Sequence, residues 1–203
     1  MGATKYLPAN YRHKKTLNLS RTRAVLWMNL AAIPLLVFFG WLFSYLISIF
    51  NSFSPFKNGI FGFFGTFSIL ELLFCILIII LMLILHELIH GMFFWLFTHD
   101  KPRFALKTGY AFAAAPEWYL TKKQYIIVGL SPFLIISITS ILLTCYVNAC
   151  LIPYLLLIAT FNAAGSLGDF IVVGWIISQP YMILVKDEGD IFSTYSPDDG
   201  LHV

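Results

Sequence analysis

The chain has 203 residues, 59% hydrophobic and only 11% charged, with a formal net charge of +3. A soluble globular domain carries about 25% charged residues, so this balance excludes a soluble enzyme and a nucleic-acid-binding protein. It points to an all-α membrane protein with about four transmembrane helices of ~20 residues each.

Residues 1–24 hold Lys5, Arg12, Lys14, Lys15, Arg21 and Arg23 and no acid. Beside a membrane span, such a segment reads as a cytoplasmic topology determinant. The first span is predicted over 25–49, kinked at Pro34. A Gly-, Ser- and Phe-rich loop from Asn51 to Gly65 follows, expected at the outer interface. The second span covers 66–97. Its early Glu71 reads as structural, since a carboxylate is favoured at a helix N-terminus.

The loop from His99 to Gln124 sets Lys101, Arg103, Lys107, Lys122 and Lys123 against Asp100 and Glu117, which again marks the cytoplasmic side. Within it, Arg103 to Ala113 alternates loosely around Thr108-Gly109. That pattern leaves room for a short β-hairpin, either a plain loop element or an edge strand able to pair with an extended substrate. The third span is expected over 125–147, with Pro132 as a kink or opening turn, and the fourth over 151–178. Residues 148–150 lie outside. Residues 179–203, acidic and polar from Lys186 onward, are expected as a solvated cytoplasmic tail. The division is therefore 1–24, a transmembrane domain at 25–178, and 179–203, in the plasma membrane with both termini cytoplasmic. Cys75, Cys145 and Cys150 have no metal-binding spacing and read as packing residues.

The densest chemical signal is His86-Glu87-Leu88-Ile89-His90, inside the second apolar run. On a helix, four residues turn the side chain by about 40°, so one metal ion can reach both imidazoles. Glu87 lies between them in angle, where a carboxylate can hold a metal-bound water. A charge at mid-bilayer costs at least ~2.5–3.5 kcal/mol on insertion scales, and a metal would compensate it. Catalytic zinc usually takes three protein ligands and one water. His99 would face about 180° away from His90 and lie ~13 Å further along the helix. Asp169 fits better. Counted inward from residue 150 it lies ~28 Å deep, against ~30 Å for His86 counted from residue 66. Gly165, Ser166 and Gly168 would let a neighbouring helix approach, and Asn162 shares the face of Asp169 two turns earlier. The plain alternative is that Asp169 marks a helix end at the interface among ordinary packing residues.

An H-E-x-x-H helix followed by a later helix with Asn and Asp resembles the site-2 protease class of intramembrane zinc proteases. More closely, the chain resembles a bacterial family of zincin peptidases of unknown function. The resemblance rests on His86 to Gly91, on Thr121-Lys122-Lys123-Gln124-Tyr125 leading to Leu130-Ser131-Pro132, and on Asn162 through Gly168-Asp169. Gly165 and Phe170 depart from the site-2 protease pattern, which has Pro and Gly at those places. The resemblance implies Zn²⁺ held by His86, His90 and Asp169, with Glu87 as general base and Asn162 orienting the substrate backbone. The expected partners are the lipid bilayer and a membrane-associated peptide or protein. The alternatives are a zinc-binding transporter or scaffold, and a membrane-embedded hydrolase of a lipid or isoprenoid.

Overall fold

The computed structural model describes residues 2–50, 68–107 and 110–198. The loop expected from Asn51 to Gly65 and the turn at Thr108-Gly109 lie outside them. The described chain is mostly helical. Three helices are long and apolar enough to cross a membrane: α1 (Thr22–Phe50), α2 (Ile69–Thr98) and α3 (Lys122–Leu143). They fall within a few residues of the expected first three spans.

Local capping sets two of the starts. Ser68 and Glu71 bond reciprocally at the head of α2, the Ser68 amide donating to Glu71 Oε2 at 2.8 Å and the Glu71 amide to Ser68 Oγ at 3.3 Å. Thr121 and Gln124 do the same before α3. Each pair satisfies two amides that a helix N-terminus leaves open. Glu71 therefore has the structural role expected of it.

The fourth apolar stretch is not one helix. A 3-10 turn at Ala149–Leu151 leads into α4 (Ile152–Gly165), and α5 (Leu167–Ile177) follows after a break with a 45° bend. The break falls at Gly165-Ser166-Leu167-Gly168. Two glycines each cost about 1 kcal/mol of helix propensity relative to alanine, and the Ser166 hydroxyl donates to the Asn162 carbonyl at 2.9 Å, competing with the helical bond.

The larger departure is a four-stranded antiparallel sheet, ordered β1-β6-β5-β4. Its strands are β1 (Tyr11–Asn18), β4 (Tyr119–Thr121), β5 (Leu184–Asp187) and β6 (Ile191–Pro197). The basic N-terminal segment and the supposed solvated tail thus pair with each other, Tyr11 opposite Pro197 and Asn18 opposite Ile191. The expected hairpin does form, from β2 (Arg103–Lys107) and β3 (Tyr110–Ala114).

The chain forms two compact units. One comprises Met1–Asn29, Glu87–Ser131 and Gly168–Val203; the other comprises Leu30–His86 and Pro132–Leu167. The first contains both sheets. Its core joins Phe94, Leu120, Tyr125, Val128, Ile176, Val185 and Phe192. Asp190 ties the hairpin to the β5–β6 turn, accepting from Lys107 Nζ at 2.6 Å and Tyr110 Oη at 2.9 Å. In the second unit, Phe39, Phe43 and Ile47 line one buried face of α1, four residues apart. Phe39 stacks on Phe43 with ring centres 5.6 Å apart. Around α2, by contrast, Leu72, Leu73, Ile76, Leu77, Ile80, Leu81 and Ile84 are all exposed. A helix apolar on every side fits lipid, since in water each such side chain forgoes about 1.5–3 kcal/mol of burial.

Candidate metal centre

On α2, His86 and His90 stand one turn apart, 6% and 7% exposed. Their outer nitrogens are both engaged. His86 Nδ1 lies 3.0 Å from Asn162 Oδ1. Asn162 Nδ2 faces only oxygens, with the Pro132 carbonyl and Ser137 Oγ each at 3.3 Å. The amide oxygen is therefore the atom turned to His86, and Nδ1 must carry the proton. His90 Nδ1 lies 2.9 Å from the Val128 carbonyl, which can only accept, so it too is protonated. With Nδ1 carrying a proton, Nε2 is the ring nitrogen that would bind a metal ion in each histidine.

Asp169 supplies the third group. It sits in the first turn of α5, where the open amides of a helix start favour a carboxylate. Its Oδ1 is 3.3 Å from His90 Nε2. His86, His90 and Asp169 each offer one donor atom, and these atoms all lie within 4.8 Å of one another. Two imidazole nitrogens and one carboxylate oxygen form a donor set that suits a catalytic zinc, with a fourth position left for water. Glu87 follows His86 on the same helix and is half-buried.

Two glycines let the surrounding elements come close. A Cβ at Gly129 would lie 2.5 Å from Val173 Cγ2, so α5 could not approach α3 there with any larger residue. Val173 is one turn after Asp169, and Gly129 is next to Val128. The same crowding holds for Gly91, where a Cβ would meet Phe104 Cζ at 2.4 Å. That contact seats β2 on α2 one residue past His90.

Asn162 is fully buried. Its amide bonds His86 on one side and α3 on the other. His99 takes no part in the donor group. It closes α2 in a left-handed conformation at φ 54°, its amide bonded to the Trp95 carbonyl at 2.7 Å.

Sequence reasoning missed a buried pair nearby. Tyr125 Oη donates to Asp187 Oδ2 at 2.7 Å, and the Gly189 amide donates to Asp187 Oδ1 at the same distance. Burial pushes the Asp187 carboxyl up to about 6, against those two hydrogen bonds. No local signal marked Asp187, which sits among polar residues near the chain end. It is buried where β5 pairs with β6, opposite Phe192.

A family model described as "Putative zincin peptidase" matches residues 79–184, more than half of the chain. The chain belongs to this family, whose description is of zinc metallopeptidases. The matched stretch contains every residue of the donor group, together with Glu87 and Asn162. No curated protein and no solved structure matches the chain.

Proposed function

We propose that the protein is an intramembrane zinc metallopeptidase that hydrolyses a peptide bond of a membrane-associated substrate. The observation that carries this reading is the His86, His90 and Asp169 group, its donor atoms within 4.8 Å of one another on apolar helices. Zinc bound there would lower the pKa of a water toward ~7 and polarise the substrate carbonyl. Glu87, beside that position on α2, takes the proton as the water attacks and passes it to the leaving amine. Val128 and Asn162 hold the two imidazoles, so both Nε2 atoms keep their direction through the reaction. Asp169 supplies the negative charge that offsets the metal. The β2–β3 hairpin, seated beside His90 through Gly91, offers an edge for an extended substrate.

The sheet supports a four-crossing topology. β1 precedes α1, β4 lies between α2 and α3, and β5 and β6 follow α5. Strands bonded in one sheet lie on one side of a membrane. Each excursion from the sheet therefore returns to it, and α4 with α5 makes one broken crossing. Basic residues on β1 and in the 99–124 loop make that side cytoplasmic.

The test is purified protein in detergent. Wild type should hold about one zinc per chain and cleave membrane substrates. His86→Ala with His90→Ala should abolish zinc binding. Glu87→Gln keeps the shape but cannot accept a proton, so zinc should stay while turnover falls ~10²-fold or more. Full zinc occupancy in the double histidine variant would place the metal elsewhere. Normal cleavage by Glu87→Gln would end the mechanism.

A further inference from the structure

We propose that Pro132 is a positioning residue for the metal centre: its missing N–H leaves the Val128 carbonyl open to His90 Nδ1 and so fixes the His90 imidazole. The inference rests on the peptidase reading above and deepens it. In an α-helix each N–H bonds the carbonyl four residues earlier. Pro132 lies inside α3, and four residues before it is Val128. Proline has no N–H, and its ring crowds that carbonyl. The carbonyl has two lone pairs. One accepts from Ser131 Oγ at 2.8 Å and the other from His90 Nδ1 at 2.9 Å. Two donors fill the two lone pairs.

The same stretch reaches the other histidine. Asn162 Nδ2 donates to the Pro132 carbonyl, and Asn162 Oδ1 accepts from His86 Nδ1. Residues 128–132 of one helix therefore stand behind both imidazoles. A proline needed only for a bend would predict none of this pairing. The sequence places the proline at the one position whose missing donor falls on Val128.

An alanine at 132 restores the backbone N–H and gives the Val128 carbonyl three donors for two places. Zinc affinity, read by competition with a chromophoric chelator, should then fall ~10–100-fold, the usual effect of removing an outer partner of a metal-binding histidine. Ser131→Ala alone should leave the affinity within about twofold of wild type. Ser131→Ala with Pro132→Ala should recover most of the loss, because the carbonyl again has two donors. A bend-only role predicts no recovery, and that result would overturn the proposal.

A second readout needs no metal. With ¹⁵N-labelled histidine, the His90 Nδ1 proton should appear hydrogen-bonded and slow to exchange in wild type, and lose that protection in Pro132→Ala. Failure of the wild type to bind zinc would defeat the peptidase reading while this arm still decides the Pro132 assignment. Protection retained in Pro132→Ala would overturn it. Should Pro132→Ala fail to fold, replacing Gly129 with its α-hydroxy analogue turns the Val128 carbonyl into a weaker ester acceptor with Pro132 in place. Zinc affinity should fall by a similar factor, and an unchanged affinity would overturn the proposal.

Discussion

Single atoms decide how firmly this centre is held. Asn162→Ala leaves the His86 Nδ1 proton without its acceptor. A buried donor left so costs about 1–3 kcal/mol, and zinc affinity should fall ~10–100-fold, measurable by chelator competition. Wild-type affinity in that variant would return Asn162 to a substrate-facing role. Asp187 gives a pH signature. Its carboxyl titrates near 6 in the fold against 3.8 when free, so the native state holds the proton more tightly than the unfolded chain. That contribution to stability is complete below about pH 4 and is lost as pH rises through about 6. Asp187→Asn should therefore be more stable than wild type above pH 6, with a ceiling of ~3 kcal/mol, and show no gain below pH 4. Thermal unfolding across pH 4–8 would read it, and a destabilised variant at pH 8 would contradict it. The motif and the depth count made His86, His90 and Asp169 legible in the sequence, because helical rise and rotation are fixed. Tyr125 and Asp187 were not legible, since their meeting depends on β5 packing over α3.

Close approaches between helices set where Asp169 sits. Gly129→Val would drive a methyl into Val173 and push α5 outward. Overpacking of this kind costs about 1–3 kcal/mol, and zinc binding should weaken more than tenfold because Asp169 moves with α5. Gly165→Ala is the contrast, since a Cβ there meets nothing within 4 Å, and its stability should stay within about 1 kcal/mol of wild type. Chelator competition with thermal unfolding on both variants checks the pair; a tolerated Gly129→Val would show that α5 has room. At this scale the apolar runs gave the long helices to within a few residues. The α4–α5 break was written in Gly165-Ser166-Leu167-Gly168, yet small residues also suit close helix packing, and the sequence offers no way to choose. β1 escaped because Arg12, His13, Lys14 and Lys15 show no apolar alternation. The strand is exposed on both faces, and only pairing with β6 defines it.

At the scale of the whole chain, the sheet converts a charge argument into a geometric one. Reporters at residue 1, within 101–124 and at residue 203 should all read cytoplasmic, and one at residue 56 should read outside. A split among the first three would be incompatible with the β1-β6-β5-β4 order. The basic clusters alone had suggested this arrangement, but nothing local revealed that the two ends hydrogen-bond. Joining β1 to β6 also imposes an order on folding. Tyr11 pairs with Pro197, so every helix of the described chain lies between the two strands. Closing so long a loop is slow, because its entropy is lost before the pairing is gained. Until β6 docks, β1 has no neighbour, and Arg12, Lys14 and Lys15 guard it against pairing with other chains. Asp187, on the strand beside β6, reaches Tyr125 only as that sheet forms. The surroundings of the donor group are therefore completed by contacts between distant parts of the chain, and not by the helices alone.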